Sequence, residues 1–169
     1  EEFPESFDPL VPNDLVYTGS KSLADAVEGV SIDAGKLVLS PTRTYAPVMK
    51  AILDNFTPQQ IHGAVHCSGG AQTKVLHFID SGHVIKDNMF PIPPLFKMIQ
   101  AESKTDWREM YKVFNMGHRM ELYVSPENAD SIIEIVKSFN IDAQIVGRVA
   151  ESPTKKLTLY TPNGIFEYA

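Results

Sequence analysis

Ile61-His62-Gly63-Ala64-Val65-His66-Cys67-Ser68-Gly69-Gly70-Ala71-Gln72-Thr73-Lys74 is the stretch whose reading decides the fold. A short apolar run around Ala64 and Val65 leads into Ser68-Gly69-Gly70, and an apolar helical pattern resumes at Val75, Leu76 and Ile79. This order reads as strand, glycine turn, helix start. Glycines let the chain turn tightly and let a ligand reach backbone N–H groups with no Cβ in the way. The opening turn of a helix presents unpaired N–H groups and the positive end of its dipole, which suits a phosphate. His62 and His66 lie four residues apart on the entering strand, so strand alternation puts them on one face and Cys67 on the other. A plain tight turn with two half-buried histidines is the alternative reading of the same residues.

Outward from this stretch, helices and short strands alternate. Upstream, Ser20 or Ser22 can cap a short helix carrying Leu23, Ala26 and Val27, Ala34-Gly35 reads as a turn, and Lys36 to Leu39 is a short apolar run. Ser40-Pro41 has the form of a helix start, and Tyr45, Val48, Met49, Ile52, Leu53 and Phe56 recur at helical spacing. Pro47 either kinks that helix or marks its beginning. Downstream, a helix is expected over about 72–79, a short strand over 83–85, a helix from Leu95 to about Ala101, and another capped by Thr105 or Asp106. Met120 to Val124 alternates as a strand. Ser125-Pro126-Glu127 opens a helix with Ala129, Ile132, Ile133, Val136 and Phe139 on its apolar stripe, and Gln144 to Val149 reads as a strand. Asn163-Gly164 is a hairpin turn between Leu157–Tyr160 and Ile165–Tyr168. Mixed short strands and helices of this kind make an α+β domain with a mixed sheet.

The chain has 169 residues, enough to bury a substantial core in one domain. Its net charge is −6 and its cations are scattered, which argues against nucleic-acid binding through a basic face. Cys67 is the single cysteine, so no internal disulfide forms, which suits a reducing, cytoplasmic compartment. No apolar run is long enough to span a bilayer. Residues 1–29 begin with an acidic, proline-rich run read as an arm or linker, and residues 30–169 as the folded domain. The first residue is Glu1, and the expectation is a fragment of a longer chain.

Four segments carry a more specific signal together than any one alone: Leu39-Ser40-Pro41-Thr42-Arg43, His66-Cys67-Ser68-Gly69-Gly70, Pro91-Ile92-Pro93-Pro94-Leu95-Phe96-Lys97, and Met110 through Gly117. In order and spacing they resemble the C-terminal domain of phosphoribosylformylglycinamidine cyclo-ligase (aminoimidazole ribonucleotide synthetase, PurM type), from about Val30 to Val149. The resemblance implies a layered α/β/α domain with partly ferredoxin-like topology, the strand–helix–strand run from Met120 to Val149 supplying half of such a unit. It also implies an N-terminal partner domain holding most of the site for ATP and Mg²⁺, a homodimer, and a nucleotide substrate. The implied reaction is activation of the formamide oxygen of formylglycinamidine ribonucleotide by ATP, followed by closure of the imidazole ring, in purine biosynthesis. Formylglycinamidine ribonucleotide synthetase, selenophosphate synthetase, thiamine-phosphate kinase and the hydrogenase-maturation member share the fold and are the nearest enzyme alternatives. A domain that has kept the fold and lost the chemistry is the competing reading.

The resemblance assigns His66 a catalytic role, orienting or protonating at the formamide oxygen or binding phosphate; a hydrogen-bonded core histidine is the alternative. Ser68, Gly69 and Gly70 are expected to bind phosphate through backbone N–H groups, and Asn115 and Gly117 to bind substrate or simply to form a turn. His62 is read as structural, Arg43 as a phosphate partner or a surface ion pair, and Cys67 as a small buried apolar residue. The spacing of His, Cys and acids gives no metal cluster. The chain departs from the family pattern at two places. Ser68 and Ala71 stand for Thr and a third Gly, followed by Gln72-Thr73-Lys74 in place of aromatic and acidic residues, and His118-Arg119 lacks the second Gly of the later loop.

Overall fold

The computed structural model describes residues 19–40 and 43–169. The described residues divide into two compact units, 19–40 with 94–105 and 43–93 with 106–169.

In the first unit, α1 (Ala34–Val38) is capped by Asp33, whose side chain accepts the Lys36 N–H at 2.8 Å. An acceptor here satisfies one of the N–H groups that a helix start leaves open. The expected turn at Ala34-Gly35 is therefore a helix start. The helix expected around Leu23 to Val27 is absent: Asp25 instead accepts from the Ser22 N–H and hydroxyl, and Ala26 bridges to Asp33. A side chain that binds its own neighbouring backbone offers the chain an alternative to helix. The unit also contains α3 (Pro94–Ser103), within a residue or two of its expected span. Much of the expected arm lies outside the described residues, as do Pro41 and Thr42 of the expected helix start.

The second unit holds two sheets. In the first, β1 (Ile61–His66) pairs antiparallel with β3 (Met120–Val124). In the second, the strand order is β4 (Gly147–Ala150), β2 (His83–Lys86), β5 (Lys156–Thr161), β6 (Gly164–Tyr168), with β2 and β5 parallel and the other pairs antiparallel. The architecture is α+β with a mixed sheet. The strand–helix–strand run does not form half of one ferredoxin-like sheet, because β3 and β4 lie in different sheets. The expected strand from Gln144 shortens to β4, and the side chain of Gln144 donates to the Asn88 carbonyl at 2.7 Å.

The helices α2 (Ala46–Asn55) and α5 (Pro126–Ser138) pack on each other and, through their apolar side chains, on the β1–β3 sheet. Pro47 lies in the first turn of α2, where a missing N–H costs nothing, so it marks the beginning of the helix. Val48 and Ile52 meet Ile132 in a buried cluster, with Ile61, Leu122 and Val124 packed against it. Each such side chain contributes about 1.5–3 kcal/mol by leaving water. On the larger sheet, α4 (Trp107–Val113) stacks Tyr111 on Phe166 at 5.7 Å between ring centroids, and the Tyr168 hydroxyl donates to the Arg108 carbonyl at 2.7 Å. Asp106, not Thr105, caps α4, accepting the Arg108 N–H at 2.8 Å.

Candidate functional site

After β1 the chain leaves the sheet at Cys67, whose N–H donates to the Arg119 carbonyl at 2.8 Å. Gly69, Gly70 and Ala71 then take φ of +61°, +111° and +43°. Three successive left-handed residues are possible here because two are glycine. Ala71, which stands for the third glycine of the motif, takes a left-handed backbone despite its Cβ. The segment continues as a 3-10 helix, Ala71–His77, rather than an α-helix over 72–79. Thr73 clamps the turn, its N–H and hydroxyl both donating to the Gly70 carbonyl, at 2.9 and 2.8 Å.

The N–H of Ser68 is tied back to the His66 carbonyl at 2.8 Å. The N–H groups of Gly69 and Gly70 have no acceptor among the described residues, and the space where a Gly69 Cβ would stand is open for 4 Å around. Backbone amides in such a turn make a concavity suited to an anion. Of the three residues, Gly69 and Gly70 keep their N–H groups open and Ser68 does not.

The two histidines differ from a buried pair. Both are exposed. Burial along β1 alternates as expected, with His62, Ala64 and His66 on the exposed side and Val65 and Cys67 buried, although a register shift falls between Ile61 and Gly63. His62 Nε2 meets Ser125 Oγ at 3.1 Å, at the start of α5. His66 lies edge-on to the Tyr45 ring at 6.4 Å between centroids, and its exposure removes the reading of a core histidine. Arg43 donates to the Asn140 carbonyl at 2.9 Å, satisfying a backbone acceptor just past α5.

The second loop of interest is built around Asn115. Its Oδ1 accepts the Gly117 N–H and its carbonyl accepts the His118 N–H, each at 2.9 Å. Gly117 has φ +84°, and a Cβ there would stand 2.9 Å from Pro93 Cγ. Arg119, where the family has its second glycine, is not among the residues with positive φ, so the backbone makes no demand for glycine there.

Between the two loops lies a polar cluster that the sequence reading missed. Lys86 Nζ donates to the Gln72 carbonyl and to Gln72 Oε1, both at 3.0 Å, and forms an ion pair with Glu121. The two charged side chains are 2% and 4% exposed. Tyr123 donates its hydroxyl to Glu121 Oε2 at 2.5 Å, and His118 Nε2 lies 3.2 Å from Glu121 Oε1. Gln72 Nε2 donates to the Asn115 carbonyl at 2.8 Å. The legible signal was Val84-Ile85-Lys86: in a half-buried strand, alternation puts Lys86 on the core side with Val84. A lysine there needs an acid, and Glu121 occupies such a position in β3.

Burial and the surrounding charges set the protonation of this cluster. Glu121 is pushed up by burial, but Lys86 and His118 beside it and its hydrogen bonds outweigh that and hold it below the usual carboxylate range. Burial depresses His118 to about 4, partly opposed by Glu121, so the ring is neutral at pH 7. Its Nδ1 is buried without a hydrogen-bond partner among the described residues. Burial and the Glu121 carboxylate push the Cys67 thiol up to about 12. Ligand atoms of Cys67, His118 and Glu121 lie within 4.8 Å of one another, a convergence that the sequence spacing does not reveal. The set is a poor match for Mg²⁺, which takes oxygen ligands, and both oxygens of the one carboxylate are already engaged. Lys86 is itself the cation of this site.

A cavity of about 1080 Å³ opens beside the cluster within the second unit, with Met49, Phe90, His118, Arg119, Leu122 and Arg148 among its walls. No helix among the described residues is long and apolar enough to cross a membrane.

Fold and site together define an α+β domain whose glycine turn presents two open N–H groups and is tied by buried polar contacts to a second loop. Residues 17–160 match the family described as AIR synthase related protein, C-terminal domain, and the chain belongs to that family. It is 32% identical over 147 residues to phosphoribosylformylglycinamidine cyclo-ligase of Geobacillus thermodenitrificans, covering 81% of this chain and 40% of that protein. It is 34% identical over 135 residues to the enzyme of the same name from Syntrophus aciditrophicus, covering 78% and 38%. The chloroplastic one of Arabidopsis thaliana is 37% identical over 131 residues, covering 76% and 33%. The chain thus spans about 40% or less of the length of these relatives.

Proposed function

We propose that this chain acts as the C-terminal domain of an ATP-dependent cyclo-ligase that converts formylglycinamidine ribonucleotide to aminoimidazole ribonucleotide in purine biosynthesis. The observation that carries the reading is the open glycine turn. Gly69 and Gly70 present two free N–H groups at the point where the family match and the quoted motif coincide. In this reading the turn holds a phosphate group of a nucleotide, and Asn115 and Gly117 border the substrate. His66, exposed at the end of the strand leading into the turn, orients or protonates at the formamide oxygen. ATP supplies the phosphoryl group as a co-substrate. Mg²⁺ accompanies ATP, held mainly on an N-terminal domain of the same protein. A homodimer, a cytoplasmic location and the layered α/β/α arrangement belong to the same proposal.

The test is turnover by the full-length protein given formylglycinamidine ribonucleotide, ATP and Mg²⁺, following ADP and the ring product together. Stoichiometric release of both is expected, and the 169-residue chain alone should fall more than tenfold short of it. A full-length protein that binds nucleotide but forms no ring product supports instead a domain that has kept the fold and lost the chemistry. The departures at Ala71 and Arg119 are what raise that second reading, although the backbone accommodates both.

A further inference from the structure

We propose that Gln72 and Lys86 are positioning residues that make the Gly69–Gly70 turn and the Asn115–Gly117 loop one mechanical unit. The two loops belong to distant parts of the sequence, and each is a tight turn with a glycine at positive φ. One side chain spans them. Gln72 sits in the first turn of the 3-10 helix that leaves the glycine turn, is fully buried, and donates to the Asn115 carbonyl at 2.8 Å. That carbonyl also receives the His118 N–H, so the Gln72 amide binds the pivot of the second loop.

A glutamine amide can turn about its last torsion and exchange its O and N ends. Here it cannot do so freely. Lys86 Nζ, a donor with no acceptor capacity, binds both Gln72 Oε1 and the Gln72 carbonyl, which leaves Nε2 facing Asn115. Lys86 is fixed in turn by Glu121, and Glu121 by Tyr123 and His118. Reversing the amide would set an N–H₂ group against an ammonium and an oxygen against the Asn115 carbonyl. The charged pair thus orients Gln72, and Gln72 sets the distance between the loops. Replacing a buried pair with well-packed apolar residues is often neutral or stabilising, so stability alone does not account for this cluster. Gln72 and His118 also occupy the two segments where the chain departs from the family pattern, and the structure joins those departures through Lys86 and Glu121.

The consequence for catalysis rests on the reading that both loops border the substrate, whereas the mechanical coupling does not. Gln72→Glu keeps an acceptor for Lys86 and removes the donor to Asn115. Gln72→Met, uncharged and close in size, removes both. Ile132→Val, in the separate α2–α5 cluster, lowers stability without touching either loop. In ¹⁵N-labelled full-length protein, both Gln72 variants should shift the amide resonances of Gly69, Gly70 and Gly117 together, and Ile132→Val should leave them in place. In the ring-closing assay, kcat/KM should fall by about 10²-fold for the Gln72 variants, the size of loss expected from a small misplacement of a reacting group, and by less than twofold for Ile132→Val. Glycine resonances that stay put in both Gln72 variants overturn the coupling. Resonances that shift while an active enzyme keeps its kcat/KM overturn the positioning role. A wild-type protein with no ring-closing activity sinks the proposed function instead, and the resonances then decide the coupling alone.

Discussion

Lys86 and Glu121 come from different sheets of the second unit and meet as an ion pair whose side chains are almost wholly out of water. Removing one partner leaves the other as an unpaired buried charge. Lys86→Met or Glu121→Leu alone should therefore cost about 3–5 kcal/mol in stability. The double variant Lys86→Met/Glu121→Leu should recover most of that loss. Urea unfolding of the four proteins checks it, and a double variant as unstable as the sum of the singles would contradict it.

The same cluster makes the fold acid-sensitive. His118 is depressed to about 4 from an ordinary value of 6.5, so between these limits the unfolded chain binds a proton that the folded chain does not. Stability is then fully present above pH 6.5 and falls as pH drops toward 4, by about 3 kcal/mol in all. Glu121, also depressed, adds its own loss at lower pH, from its unfolded value of 4.5 downward. Unfolding free energies at pH 7, 5.5 and 4.5 should trace this decline, and His118→Gln should flatten the portion above pH 4.5.

Gly117 and Gly69 separate two costs of a side chain on left-handed backbone. At Gly69 a Cβ meets open space, whereas at Gly117 it meets Pro93 Cγ at 2.9 Å. Gly69→Ala should cost about 1–2 kcal/mol from backbone alone. Gly117→Ala should cost more, by about 1–3 kcal/mol for the displaced ring. Melting curves of both variants measure the difference, and equal losses would show that the proline moves aside freely.

Cys67 is 2% exposed with its thiol pushed up to about 12. A protonated, inaccessible thiol neither attacks disulfide reagents nor binds metal readily. Native protein at pH 8 should react with a disulfide reagent only at the rate of unfolding, and added Zn²⁺ should leave the melting temperature unchanged. Rapid labelling in the native state would place Cys67 at a reactive site.

What the sequence makes legible here is local. Asn163-Gly164 closes the β5–β6 hairpin because the turn's chemistry lies within the turn, and Asp106 caps α4 for the same reason. Ser125-Pro126 opens α5 as expected, yet Ser125 makes no side-chain cap and meets His62 instead. The glycine turn was legible from its residues and from the family motif. The distribution of strands between two sheets was not, because the pairing of β1 with β3 and of β2 with β5 joins segments more than fifty residues apart. The buried cluster was hidden for the same reason. Beyond the hint of a buried lysine in Val84-Ile85-Lys86, Gln72 and Glu121 look like ordinary polar residues until the fold brings them to Lys86 and to the Asn115 loop.

The two histidines of the opening stretch have roles that can be parted by substitution. His62 bonds Ser125 at an exposed site, so His62→Ala should cost about 0.5–1.5 kcal/mol in stability and leave turnover nearly unchanged. Its melting curve and kcat provide the comparison.

The most direct measurement is kcat for ring closure in full-length His66→Ala, taken beside its melting curve. His66 is exposed, and its ring meets the edge of Tyr45 among the described residues, so its loss should cost less than about 0.5 kcal/mol in stability. In the proposed role of orienting or protonating at the formamide oxygen, its loss should cost about 10²–10⁴ in kcat. A large fall in kcat with an unchanged melting temperature is the predicted result. Near-normal turnover by a well-folded His66→Ala protein would contradict the account and move the chemistry away from the glycine turn.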